Sequence, residues 1–100
     1  MVEIRYYVAT DGRQPFAEWF ADLEPVTRAR IVRAIVRMEQ GNLSNVKSVG
    51  GGVLEYRIDF GPGYRVYFGR DGEALVILLT GGSKKRQQRD IEAAHACGRS

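Results

Sequence analysis

Two arginines, Arg57 and Arg65, stand in neighbouring stretches of alternating polar and apolar residues, on either side of the turn-forming run Phe60-Gly61-Pro62-Gly63. In residues 53–59, Leu54, Tyr56 and Ile58 fall on one face of an extended chain; in residues 64–69, Tyr64, Val66 and Phe68 do the same. If both apolar sets face the same way, a hairpin keeps even positions opposite even ones. Glu55, Arg57, Arg65 and Tyr67 then emerge together on the other face, with Arg57 and Arg65 as direct or diagonal cross-strand neighbours. Two like charges so placed cost a few tenths to about 1 kcal/mol, and a phosphate or carboxylate lodged between them relieves that repulsion. A planar guanidinium fork suits phosphate oxygens. The alternative is that Glu55 and Asp59 neutralise the arginines in place. Lys84, Lys85, Arg86 and Arg89 follow the last apolar stretch and bring further cations to the same edge.

Other chemistries find less support. A single Cys97 excludes an internal disulfide and a four-thiolate zinc site. A single His95 leaves no HExxH and no Cys/His cluster, so no resident metal or cofactor is expected. Gly81-Gly82-Ser83-Lys84 lacks the glycine spacing of a P-loop and a hydroxyl after the lysine. Gly61-x-Gly63 is followed by a strand pattern and has no third glycine, which marks a turn and not a dinucleotide loop.

The elements that position these residues follow from periodicity. Residues 3–9 alternate and predict a strand, with Ile4, Tyr6 and Val8 on one face. Pro15 suits a first helical turn, and Phe16, Trp19, Phe20 and Leu23 follow at helical spacing, giving a short helix over 14–23. Pro25 opens a second helix, ending at Gly41-Asn42, with Ile31, Val32, Ile35, Val36 and Met38 in one stripe and Arg30, Arg33 and Arg37 opposite. Residues 42–52 read as a loop with a glycine tract. The hairpin strands follow, then Asp71-Gly72 as a second hairpin signal. The wholly apolar run Ala74–Leu79 reads as a central strand covered on both sides. Thr80-Gly81-Gly82-Ser83 leads into a last helix over 84–96 that buries Ile91 and Ala94. The order β-α-α-β-β-β-α describes a single α+β domain over 1–100, a twisted, mainly antiparallel sheet with a helical hairpin and a terminal helix.

At 100 residues the chain suits one core, and 44% hydrophobic with 27% charged residues is too apolar for a disordered tail. The longest apolar run is far short of a bilayer span, and the N-terminus lacks the pattern of a signal peptide, so a cytoplasmic protein is expected. Net charge is +3, with residues 26–50 at +4 and residues 1–25 at −3; twelve of the fifteen cations are arginine. An arginine-heavy basic chain is a nucleic-acid candidate, and the same arginines also suit a solvated helix face.

The blocks Leu54-Glu55-Tyr56-Arg57-Ile58-Asp59-Phe60-Gly61-Pro62-Gly63-Tyr64-Arg65-Val66-Tyr67-Phe68, Leu78-Leu79-Thr80-Gly81-Gly82-Ser83-Lys84 and Gln88-Arg89-Asp90-Ile91 resemble the RelE/ParE toxin superfamily. The resemblance is strongest to its HigB-like addiction module killer branch, the phage-derived Gp49-like proteins, and runs nearly the whole chain, since Phe16-x-x-Trp19-Phe20 and residues 25–41 fit its helical hairpin. It implies a RelE-like, microbial-RNase-like fold and the toxin half of a type II toxin–antitoxin pair. The implied activity is ribosome-dependent, metal-independent mRNA cleavage; the alternatives within the superfamily are a non-catalytic, ParE-like inhibitor of DNA gyrase and an inactive antitoxin-binding remnant. The implied partners are a cognate helix-turn-helix antitoxin, the ribosome and mRNA, with operator DNA reached only through the antitoxin and no membrane.

Carried onto this chain, Arg65 matches the arginine held to stabilise the scissile phosphate, Arg57 a basic position of the preceding strand, and Lys84 the basic residue after the double glycine. Glu55, Tyr67, Lys85 and Arg86 are candidate bases or RNA contacts. Arg30, Arg33 and Arg37 either meet ribosomal RNA phosphates or form a solvated face. The chain departs from the branch at Ser83, where aspartate is expected, and at Lys85-Arg86, where small hydroxyl residues are expected. No aromatic stands in the last segment where RelE has a catalytic tyrosine.

Overall fold

Proline fixes the backbone angle a helix start needs and lacks the N–H that a first turn leaves unused. Pro15 and Pro25 each open a helix: α1 is Pro15–Ala21 and α2 is Pro25–Glu39. A computed structural model describes residues 2–83 and 87–98. The Arg28 guanidinium donates to the carbonyl of Leu23 at 2.7 Å, tying the first turn of α2 to the α1–α2 corner. The strands are β1 (Glu3–Tyr6), β2 (Val46–Gly50), β3 (Val53–Ile58), β4 (Tyr64–Asp71) and β5 (Leu75–Ser83), and α3 is Gln87–Gly98. They form a five-stranded sheet in the order β1-β5-β4-β3-β2, antiparallel except for β1 against β5.

The sheet is covered on both faces. Beneath α1 and α2, Phe16, Ile31, Ala34 and Met38 pack on Tyr56, Val66, Phe68, Val76 and Leu78. Beneath α3, Ala94 packs with Val53, Tyr67 and Leu79. Leu79 is an extra residue in β5, between the pairs Phe68–Leu78 and Tyr67–Thr80. This bulge shifts the alternation by one, so that Gly81 comes to lie opposite Val66, under α1. A Cβ at Gly81 would overlap the six-membered ring of the Trp19 indole. Glycine is therefore needed there for helix-to-strand approach, not for a special backbone angle.

The α+β architecture is as expected, with differences in detail. The loop expected over 42–52 contains β2, an edge strand pairing with β3 through Val46–Tyr56 and Lys47–Glu55. Lys47 and Ser48 are exposed while Val46 and Val49 are half-buried, too irregular an alternation to read as a strand. The first strand ends at Tyr6 and not at residue 9; Val8 is exposed. Thr80-Gly81-Gly82-Ser83 belongs to β5; α3 is described over Gln87–Gly98, and positions 84–86 of the helix expected over 84–96 lie outside the described residues. The buried face of α2 is Thr27, Ile31, Ala34 and Met38, whereas Val32 and Val36, expected inside, are exposed.

Candidate functional site

Arg57 on β3 and Arg65 on β4 are directly opposite, in the same register as Glu55–Tyr67 and Ile58–Tyr64. Their surroundings differ. Arg65 is only 8% exposed, its Nε 3.4 Å from Oε1 of the wholly buried Glu55. Its other strand neighbour is Gly82 of β5, which brings no side chain beside it. Arg57 is exposed and stands where β2 has ended; its N–H reaches the Asn45 carbonyl at 3.3 Å. Among the described residues, no carboxylate lies within ion-pair distance of Arg57.

The tight turn after β3 shapes the space around them. The Gly63 N–H donates to the Phe60 carbonyl at 3.0 Å, and Gly61 and Gly63 take φ of 57° and 88°, angles that favour glycine. The turn closes one side of a cavity of about 450 Å³ lined by Asn45, Arg57, Asp59, Tyr64, Arg65 and the turn glycines. A second cavity of about 190 Å³ adjoins it, lined by Arg30, Arg33 and Arg37 of α2 together with Arg57, Asp59 and Phe60. The guanidinium of Arg30 lies 4.7 Å from the centre of the Phe60 ring.

These positions revise the expected face. Glu55 and Tyr67 were expected to emerge beside the arginines, open to RNA. Both are fully buried, because α3 covers the centre of that face and leaves only its end open. Glu55 holds Arg65 from below and does not face solvent. Lys84, Lys85 and Arg86 lie outside the described residues. Arg30, Arg33 and Arg37 are brought to the same groove as Arg57, a meeting that helix periodicity alone does not reveal. Asn45 and Phe60 line the cavities without having been singled out by the sequence, and Asp59, weighed there as a neutralising partner of the arginines, lines both; their signal is their place at the ends of β3 and the loop before it.

The single histidine and the single cysteine both lie on α3. The His95 Nε2 lies 3.1 Å and 2.9 Å from the carbonyl oxygens of Val49 and Gly50. Carbonyls only accept, so Nε2 donates, fastening α3 to the β2–β3 turn. Burial pushes the Cys97 thiol above its ordinary value, which disfavours the nucleophilic thiolate. Among the described residues, no cluster of His, Cys, Asp or Glu is arranged to hold a metal, and no helix is long and apolar enough to cross a membrane.

Residues 18–96 match the family described as "Phage derived protein Gp49-like (DUF891)". An uncharacterized protein of Haemophilus influenzae is 44% identical over 80 residues, which cover 79% of this chain and 81% of that one.

Proposed function

The chain belongs to the Gp49-like family of phage-derived proteins, a toxin-like family of the RelE/HigB type, and on that premise we propose that it is the toxin of a type II toxin–antitoxin module that cuts mRNA on the ribosome. The observation carrying this reading is the directly opposed Arg57–Arg65 pair bordering one open cavity, with Arg65 held in place by Glu55. Phosphodiester cleavage by the RNA's own 2′-hydroxyl forms the bond from O2′ to phosphorus and breaks that to O5′. The 2′ proton leaves to a base, the departing 5′ oxygen takes up a proton, and a 2′,3′-cyclic phosphate and a 5′-hydroxyl result. Negative charge gathers on the phosphorane, where the two guanidinium groups, that of Arg65 held by Glu55, stabilise it more than they stabilise the starting diester.

Asp59 is the one carboxylate lining this cavity among the described residues, and in this reading it takes the 2′ proton. Carboxylates are weak bases at neutral pH. Much of the rate therefore falls to the ribosome, which sets the attacking oxygen in line, and free RNA is cut slowly. The proposal includes neutralisation by a helix-turn-helix antitoxin, through which operator DNA is reached, and a role for Lys84 at the leaving oxygen.

Primer extension on translated messages after induction tests the reading. New 5′ ends within coding sequence are expected with growth arrest. Arg57→Ala, at an exposed position, should reduce cutting by about 10²–10³-fold with an unchanged circular dichroism spectrum. Arg65→Lys, which keeps a cation beside Glu55 but removes the fork, should also be strongly impaired. Growth arrest with DNA-damage signalling and no new ends would replace the nuclease by a gyrase inhibitor. No growth arrest at all would leave an antitoxin-binding remnant.

A further inference from the structure

Among the described residues, the lining of the second cavity holds four arginines against one carboxylate. Arg30, Arg33, Arg37 and Arg57 border it, and among the described residues none of the four lies within 4.0 Å of a carboxylate. Asp59 is the sole acid in its lining. Four arginines bordering one space leave it net positive, and an anion lodged there offsets that excess. An aromatic residue shares the wall: Phe60 lies under the exposed Arg30, a pairing that sets the guanidinium beside the groove. Cations beside an aromatic and guanidinium platform are the elements that hold unpaired nucleotides, whose bases stack while their phosphates are neutralised. A duplex keeps its base faces inside and offers none to Phe60. Acidic side chains offer no aromatic face to stack on it. Arg57 borders both cavities, so a strand occupying one is led into the other.

We infer that the groove between α2 and the end of β3 is a nucleotide subsite: Arg33, Arg37 and Arg57 hold a phosphate, and Arg30 with Phe60 stacks the base of an unpaired nucleotide adjacent to the one being cut. That placement on the substrate strand rests on the nuclease reading, whereas binding of the nucleotide does not. The subsite gives Arg30, Arg33 and Arg37 a role on the substrate strand, not on a separate ribosomal surface.

Fluorescence anisotropy of a labelled oligouridylate with the purified chain, across a salt series beginning near about 50 mM, tests it. Wild type should bind with an affinity that falls linearly in log–log form. For single strands each neutralised phosphate adds about 0.7 to the slope, and these arginines share one phosphate, so Arg33→Gln/Arg37→Gln should flatten it by about 0.7. Phe60→Leu should keep the slope and weaken binding by roughly tenfold, in keeping with the loss of one stacked base. Arg30→Gln should weaken binding as well, at an exposed position where folding is not at issue. An RNA duplex or a polyglutamate of equal charge binding as tightly overturns the subsite, as does a double variant with an unchanged slope or a wild type that does not bind. The readouts separate the two readings. Oligonucleotide binding with these slopes in a chain that produces no new 5′ ends upholds the subsite and overturns the nuclease. A chain that cuts messages but shows no flattening overturns the subsite alone.

Discussion

A guanidinium nearly sealed from water stays fixed in direction only when a group of opposite sign is sealed in beside it. Glu55 is that group for Arg65. Replacing one partner of such a pair leaves a desolvated charge, at a cost of several kcal/mol. Glu55→Gln, which keeps the shape and removes the charge, should lower unfolding free energy by about 3 kcal/mol. The urea midpoint should fall with little change in slope. An unmoved midpoint would mean that the pair contributes nothing. Cys97 gives a pH-dependent counterpart. Its thiol is raised by burial, so below the ordinary thiol range both folded and unfolded chains keep the proton and stability is unaffected. As pH rises, the unfolded chain ionises first and stability falls, until the folded thiol also ionises. Alkylation by iodoacetamide at pH about 8.5 should accordingly be slower in the native chain than in urea. Equal rates would show a thiol that burial does not protect. The arginine pair was legible from the parity of two short alternating stretches. The burial of Glu55 and Tyr67 was not, since parity says which side chains share a face and nothing of what covers it.

The meeting of helix and strand at Gly81 decides where the end of β5 lies, beside Arg65. Gly81→Ala would set a methyl group against the Trp19 ring. The neighbour is a rigid indole, and overpacking of this kind costs about 1–3 kcal/mol. The expected result is a loss of that size, with a shifted Trp19 emission. In a Trp19→Leu background the same substitution should cost much less, the non-additivity expected of residues in contact. Equal losses in both backgrounds would place the strain elsewhere. Here sequence reading misjudged an element for a definable reason. A glycine pair after an apolar run looks like the end of a strand, yet Gly81 is a strand residue that had to be small. The bulge at Leu79, which turns Gly81 toward α1, leaves no mark in the hydrophobic pattern. The missed β2 is similar: an edge strand with exposed Lys47 and Ser48 has no continuous buried face to announce it. The helices were clearer because Pro15 and Pro25 mark their starts and the buried residues recur at helical spacing. Only the rotation of α2 was misjudged, with Val32 and Val36 taken for core.

The sheet order β1-β5-β4-β3-β2 joins a local unit to a distant one. Strands β2 to β5 form a meander in which each pairs with its neighbour in sequence, and both candidate cavities lie by the end of β3 next to the β3–β4 turn. Strand β1 comes from the other end of the chain to pair in parallel with β5, from Glu3–Leu75 to Tyr6–Leu78. Closing that large loop costs entropy before any contact rewards it. The meander should therefore be structured in the folding transition state and β1 should dock afterwards. Val66→Ala in the buried centre of β4 should slow refolding. Ile4→Ala, which removes a partly buried contact of the same core, should act mainly by speeding unfolding, with a φ-value near zero. Stopped-flow refolding and unfolding of the two variants measures both. The consequence for the site is that Arg57 and Arg65 are paired by contacts local in sequence, so loosening β1 should weaken stability without separating them. A high φ-value at Ile4 together with a low one at Val66 would reverse the order, and would make the arginine pair depend on the longest-range pairing in the sheet.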